Sequence, residues 1–389
     1  VANTLTIDSF APLSIQRPTR VAELCELVKQ TRAAKRAIYP VGGRTTLDIG
    51  LTPTKPGIAC DTTAMNAIID YPARDMTITA NAGITFAAIQ SALAKEGQWL
   101  PIDVPLPEKT TLGGAVAIAA SGPRRYGYGT LRDYVIGISF VSDDGTEVKA
   151  GGRVVKNVAG YDLMKLQIGA LGTLGIISQL TLKVKPKPEA AATVVLGCDS
   201  ATLAPILDCL SASKTRPVAV EVTNAATWRT AKLTPAVAAE WVVVVCFEEK
   251  ATAVNWQTAT LLEELKPFAV RDVATLNDTA ILTALTAWQL RPESRWIGKQ
   301  SVLPSQVAAT LATAKGEFVH AHALTGVIWL HDGDSLPPDA VLRRAPNNQK
   351  KPNRLWGKPP ASWELMRHIK RTLDPDNVFN PGRLFGSES

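Results

Sequence analysis

The 389-residue sequence predicts an α+β protein of two parts, and two observations carry that expectation. Before residue 190, short β-like runs are punctuated by four glycine clusters. These are "PVGGRTT" (40–46), "TTLGGAVA" (110–117), "ASGPRRYGYGTLRD" (120–133) and "IGALGTLGII" (168–177). Beyond them, apolar runs such as "TVVLGCD", "VAVEVTN" and "EWVVVVCF" alternate with helical windows at 200–213, 251–265 and 304–315. That rhythm predicts a smaller α/β sandwich, with helices on one face of a mainly antiparallel sheet.

Taken in order, "PTRVAELCELVKQ" places Val21, Leu24, Cys25 and Val28 at i, i+3, i+4 and i+7, an amphipathic helix. "AIYPV", "GIACD" (57–61) and "MTITANAG" (76–83) read as strands. "TFAAIQSALAKEG" predicts a helix that closes on Gly97. "VIGISFVSDDGTEVKAGG" (135–152) predicts a hairpin turning at Asp-Gly. "IISQLTLKVKPKPEA" (176–190) is a strand running into a Lys/Pro connector, the first boundary. "ASWELMRHIKRTLDP" is a helix and "DNVFNPGRLFG" a turn-rich tail. The expected domains are 1–188, 189–342 and 343–389, the last a basic loop and a segment that returns to the first domain.

Composition narrows the classes. Apolar residues make up 46%, as in a soluble, well-cored chain. The longest apolar run, Trp241 to Phe247, is too short to cross a bilayer. "VANTLTIDSF" has neither a basic nor an apolar leader region, so no secretory signal is expected. The net charge of +7 is dispersed apart from "RRAPNNQKKPNRLWGK" (343–358), and no helix interleaves a basic stripe with aromatics. No nucleic-acid partner is therefore expected. Cysteines at 25, 60, 198, 209 and 246 form no C-x-x-C pair. That argues against a zinc or iron–sulfur site of the chain's own and fits a cytoplasmic location.

Glycine permits positive φ and close backbone approach, and successive N–H groups can then cradle phosphate oxygens. Four clusters in one domain point to a large phosphate-bearing cofactor. A Rossmann site needs strand, G-x-G-x-x-G, then helix. "GALGTLG" has a different spacing and precedes a strand, "PVGGRTT" has no helix after it, and no G-x-x-x-x-G-K-[ST] occurs. NAD on a Rossmann fold and an ordinary P-loop are both disfavoured.

The ordered set PVGGRTT, TLGGAVA, SGPRRYGYGTLRD, VVKNVAGYDLMKL, GALGTLGII and NPGRLF resembles the FAD-binding domain of the vanillyl-alcohol oxidase/p-cresol methylhydroxylase flavoproteins. Within that family it is most similar to the FAD-binding subunits of bacterial glycolate oxidase (glycolate dehydrogenase). The resemblance covers residues 5–187 and 360–386. It implies a two-subdomain FAD-binding fold. It also implies that Pro40, Val41, Gly42, Gly43, Arg44, Thr45 and Thr46 wrap the FAD pyrophosphate. Thr111, Gly113 and Gly114 would make a second pass along the dinucleotide, and Ser121, Gly122, Tyr128, Gly129 and Asp133 would line it further on. Gly172, Thr173, Gly175 and Ile177 would close over the adenosine half, with Asn380 and Arg383 returning towards the flavin. Some family members attach flavin to a His just after the paired glycines. Arg44 stands there, so FAD is expected to be non-covalent.

The family's α-hydroxy-acid oxidisers carry H-x-G-D-G-N-x-H, whose histidines help hold a metal and the substrate. "HAHALTGVIWLH" (320–331) keeps His322 and Gly326, but Leu324 and Thr325 replace Gly-Asp and Trp329 replaces the second His. His320 and His322 share a strand face with His331 displaced, and no metal is expected. Oxidation of a hydroxy acid needs a cation for the carboxylate and a base for the hydroxyl. Arg291, Arg295 and Lys299 are the candidate cations and His322 the candidate base. The expected function is an FAD-binding subunit that supports oxidation of glycolate or a similar 2-hydroxy acid such as lactate by hydride transfer to flavin. The alternative is a non-catalytic electron-relay or scaffold subunit. The resemblance implies a sister FAD subunit and an iron–sulfur subunit as partners, and membrane contact only through that complex. The basic stretch 343–358 is expected to be an exposed docking element.

Overall fold

A computed structural model describes residues 5–152, 162–333 and 336–386. Part of one motif, residues 153–161 of "GRVVKNVAGYDLMKL", lies outside them. The chain divides into two compact units. One comprises Val1–Ala120, Thr130–Pro186 and Asn347–Ser389; the other comprises Ser121–Gly129 and Lys187–Pro346.

The first unit holds two main sheets. A parallel sheet has the order Ile15–Gln16, Gly57–Asp61, Ala37–Val41. The helix Val21–Ala33 covers it, burying Leu24 and Val28 with Ile38, Ile58 and Phe379. An antiparallel sheet runs Ile68–Asp70, Thr77–Asn81, Ile176–Lys183, Val135–Val141, Glu147–Gly151. The helix Phe86–Ala94 sinks Phe86, Ile89 and Leu93 into a core with Ile78, Leu180 and Leu182. Thr85 caps that helix by accepting from the Ala88 N–H at 3.3 Å. The C-terminal tail pairs with the strand Ala37–Val41: the Ile38 N–H donates to Val378 O at 2.7 Å and the Asn380 N–H to Ile38 O at 3.0 Å.

The second unit is built on eight strands, each paired antiparallel to its neighbours. Their order is Arg271–Leu276, Ala190–Cys198, Trp241–Glu249, Ala219–Asn224, Gly316–His322, Val327–Gly333, Ile297–Ser301, Val341–Arg344. The helices Ser200–Ala212, Ala251–Leu265 and Val307–Ala312 pack Leu203, Ile206, Leu261, Leu265 and Val307 on one face. The expectation of helices on one face alone is corrected. Trp228, Ile281 and Leu282 from the helices Ala225–Thr230 and Ala280–Trp288 cover part of the other face, against Val195, Val242 and Val244. Burial on both sides is why Trp241–Phe247 reads as an unbroken apolar run rather than an alternating one. Arg271–Leu276 and Val341–Arg344 are edge strands, and their polar residues hid them from the sequence pattern.

Ser121–Gly129 belongs to the second unit, which differs from the sequence-based boundary at 188. Arg124 explains this: its Nε donates to both Glu248 carboxylate oxygens at 3.0 and 3.1 Å, and its guanidinium also bonds Thr279 Oγ1 at 2.9 Å. Gly127 adds a backbone bond to Val218 O at 3.0 Å, where a Cβ would lie 2.7 Å from Val218 Cα.

The basic stretch is exposed only in part. Arg343 and Arg344 end a strand, and the Arg344 guanidinium donates to Arg291 O at 2.7 Å. Lys350 is buried, donating to Asp8 Oδ1 at 2.5 Å and Asp48 O at 2.6 Å. Fixed acceptors take the charges of Arg344 and Lys350.

Replacing Glu248 by alanine would leave the Arg124 charge buried beside an apolar gap. Chemical denaturation should register a loss of about 3–5 kcal/mol.

Candidate functional site

The loop that follows Val41 sets the site. Gly42 and Gly43 are required there by space: a Cβ on Gly42 would lie 2.1 Å from Thr111 Oγ1, and one on Gly43 would lie 1.6 Å from Lys109 O. Positive φ falls instead on Arg44, at φ 60, a left-handed conformation that costs a non-glycine residue about 1–2 kcal/mol. Of the two properties expected of these glycines, positive φ and close approach, the structure uses the close approach. The N–H groups of Gly43, Arg44, Thr45 and Thr46 have no hydrogen-bond partner among the described residues. Successive free N–H groups around a left-handed residue form an anion-binding nest. Arg44 adds charge while staying tied to Asp61 Oδ2 at 3.4 Å.

These residues line a solvent-open cleft in the first unit. Of the residues nominated from sequence, the wall includes Pro40, Val41, Gly42, Gly43, Arg44, Thr45 and Thr46. It also includes Thr111, Gly113, Gly114, Gly172, Gly175, Ile177 and Asn380. The second cluster is wall rather than donor. The Gly113 N–H is spent on Ala82 O at 2.7 Å and the Gly114 N–H on Thr111 Oγ1 at 3.3 Å, so the short helix Leu112–Ala117 caps itself. The sequence reading missed the apolar lining of Ala82, Ala117, Ile118 and Leu171, because it searched for donors.

Thr173, Asp133 and Arg383 hold structure together outside that wall. Asp133 caps the short helix Leu131–Tyr134 through the Thr130 N–H at 2.8 Å, and those hydrogen bonds lower its pKa. Ser121, Gly122, Tyr128 and Gly129 lie in the second unit and are not among the residues lining the cleft.

Arg383 is buried and donates to three carbonyls of one loop: Leu51 O and Leu47 O, each at 2.7 Å, and Ile49 O. Burial pushes its pKa down to about 10. Lys370, also buried, donates to Thr173 O and Phe379 O at 3.0 Å each and pairs with Asp374. Asp374 in turn accepts the Val378 and Phe379 N–H groups, both at 2.8 Å. Asn380 Nδ2 donates to Leu171 O at 2.6 Å. The tail thereby fixes both the 47–51 loop beside the nest and the 171–175 turn across the cleft.

In the second unit, cross-strand register gathers the remaining candidates. Glu221 pairs with His322, His320 with Trp329, Phe318 with His331, and Trp329 with Lys299. All these residues therefore share one sheet face, so His331 is on the face of His320 and His322 after all. His322 is buried: its Nδ1 meets Glu221 Oε2 at 2.7 Å, and its Nε2 accepts from the Trp329 indole N–H at 3.2 Å. His320 Nε2 meets the same Glu221 oxygen at 2.5 Å. Arg291 is spoken for, since its guanidinium lies 4.1 Å from the Phe318 ring centroid and reaches Asp332 Oδ2 at 3.4 Å. The Arg295 side chain is exposed; its backbone N–H donates to Asp332 Oδ1 at 2.7 Å. Burial, with added repulsion from Arg343 and Arg125, pushes Lys299 down to about 8, and burial pushes Arg343 down to about 10. Among the described residues neither Lys299 nor Arg343 has an acidic partner.

Valine at Gly42 and Gly43 should abolish flavin retention, read as loss of the yellow absorbance in protein that still unfolds cooperatively. Arg383→Met should strip three buried carbonyls of their donor, at about 1–3 kcal/mol each, and loosen flavin binding by at least tenfold in a fluorescence titration.

Residues 12–151 match the family model described as "FAD binding domain", and residues 349–384 match "FAD linked oxidases, C-terminal domain". The chain is 36% identical over 169 residues to "Glycolate oxidase subunit GlcE" of Escherichia coli (strain K12), covering 43% of this chain and 48% of that protein. It is 32% identical over 184 residues to "Glycolate oxidase subunit GlcD" of Bacillus subtilis (strain 168), covering 47% and 39%. These matches span less than half the length of those two relatives. A "D-lactate dehydrogenase" of Archaeoglobus fulgidus is 27% identical over 410 residues, covering 95% and 90%. The fold is shared with p-cresol methylhydroxylase, at 16% identity and a TM-score of 0.76 over 97% of this chain and 89% of that one. No helix among the described residues is long and apolar enough to cross a membrane. An FAD-binding domain model thus matches one end of the chain and an FAD-linked-oxidase C-terminal model the other, and the chain is similar to the glycolate oxidase subunits over its first part.

Proposed function

We propose that the chain is the FAD-binding subunit of a glycolate-oxidase-type complex that oxidises glycolate or a similar 2-hydroxy acid such as lactate. In this reading the substrate meets a sister flavoprotein subunit, and electrons leave through an iron–sulfur subunit. The observation that carries cofactor binding is the run of four unpartnered N–H groups at Gly43–Thr46 on the cleft wall. Bound there non-covalently, FAD would supply a two-electron acceptor; the chain's own residues bind it and hold its phosphates. Assignment of the substrate to a sister subunit rests on His322. Both its ring nitrogens are engaged, one with Glu221 and one with Trp329, so it offers no lone pair to a hydroxyl proton.

A second reading has one specific support. Lys299 and Arg343 are partly buried cations with no acidic partner among the described residues, the chemistry of a carboxylate grip. On this reading the chain binds the hydroxy acid itself. Purified alone and kept anaerobic, the yellow protein should stay oxidised with glycolate or lactate and bleach only when the sister subunit is added. Bleaching of the isolated chain would sink the first reading in favour of the second. The second also makes a pH prediction. Lys299 is charged below about pH 8 and loses its proton above it, so carboxylate affinity should be flat below about pH 7 and fall about tenfold per unit above 8.

A further inference from the structure

In the family's α-hydroxy-acid oxidisers the histidine motif helps hold a metal, and the second unit does bring Glu221, His320 and His322 within 4.8 Å of one another, all buried. The donor chemistry does not fit one. We propose that Trp329 locks His322 as its Nδ1–H form, and that Glu221, His320 and His322 form a closed, proton-bonded cluster that excludes a divalent metal.

The argument turns on one hydrogen bond. An indole nitrogen is a donor only. Trp329 Nε1 stands 3.2 Å from His322 Nε2, so Nε2 must present its lone pair and the ring proton of the neutral imidazole sits on Nδ1. Nδ1 faces Glu221 Oε2 at 2.7 Å and donates to it. A metal bound by that nitrogen would require the proton to move to Nε2, where it would point at the indole N–H. Gln289, whose Nε2 lies 3.4 Å from the same ring nitrogen, could rotate its amide and accept; Trp329 has no such option.

The remaining geometry agrees. Glu221 Oε2 receives His320 Nε2–H at 2.5 Å and His322 Nδ1–H at 2.7 Å. Tetrahedral ligands about 2.0–2.1 Å from zinc stand about 3.3 Å apart, so these are separations of hydrogen-bonded atoms rather than of co-ligands. Metal-bound histidines normally donate their second ring N–H to an acceptor. Here His322 Nε2 meets donors, and His320 Nδ1 is buried with no hydrogen-bond partner. Trp329 occupies the position where the family motif has its second histidine, so one substitution removes a ligand and disables another.

The test uses the flavin-loaded full chain. Equilibrated with zinc or manganese and desalted, the native protein should retain less than a tenth of an equivalent by elemental analysis. The His322 ring in a ¹H–¹⁵N spectrum should show a protonated Nδ1. Trp329→Phe keeps an aromatic ring at the position and deletes the indole N–H. It should bind zinc at least tenfold more tightly than the native protein, and Trp329→Phe/His322→Ala should lose that gain. Stoichiometric zinc in the native protein, or an Nε2–H tautomer, overturns the proposal. So does a Trp329→Phe variant that keeps its flavin and melting temperature yet gains no zinc affinity. Because the variants retain the flavin cleft, failure here leaves the cofactor assignment intact.

Discussion

A buried guanidinium organises the cofactor loop. Arg383 reaches the carbonyls of Leu47, Ile49 and Leu51, while Lys350 takes that of Asp48. Four of the five carbonyls between 47 and 51 are therefore committed to cations. Because each peptide is planar, turning a carbonyl towards a fixed donor also sets where the neighbouring N–H points. Burying two cations is costly unless their donors are satisfied, so the carbonyls and the cations require each other. The nest at Gly43–Thr46 is the adjoining stretch of the same loop, and its N–H groups are what remains without an internal partner.

The glycine clusters then divide into two physical roles. Gly42, Gly43 and Gly113 are glycine because another part of the chain occupies the Cβ position. Gly172 and Gly175, at φ 65 and 150, are glycine because the backbone turns where side chains are strained. The left-handed residue at the nest itself is Arg44, held by the packing on either side of it. A position that carries both strain and charge is a common mark of a functional loop.

In the second unit the eight-stranded sheet puts one face to purely structural use and the other to a mixture. Aliphatic packing under three helices stabilises the first face. The second carries Glu221, His320, His322, Trp329, His331 and Lys299 in adjacent registers. Most of this polar chemistry is satisfied internally. Glu221 Oε2 joins His320 and His322, and Arg291 lies between Asp332 and Phe318. Lys299 and Arg343 are the cations on that part of the sheet without an acid to match them among the described residues.

Much was legible in the sequence, and for a local reason. Hydrophobic period, turn residues and glycine spacing are properties of a few neighbouring residues, so the helices Val21–Ala33 and Phe86–Ala94, the hairpin at Asp144–Gly145 and the close-packed glycine loop after Val41 could be read directly. The exclusion of a covalent attachment at Arg44 needed only the identity of one side chain. What the sequence could not determine depends on partners far along the chain. Arg124 is committed to Glu248, Lys350 to Asp8, and His322 to Glu221 and Trp329. A charged or titratable residue reads the same in sequence whether it awaits a ligand or is already neutralised. By itself the sequence therefore determined the flavin domain and its loop. Only the tertiary structure decided which of the candidate catalytic and docking residues still have a proton, a charge or a lone pair to offer.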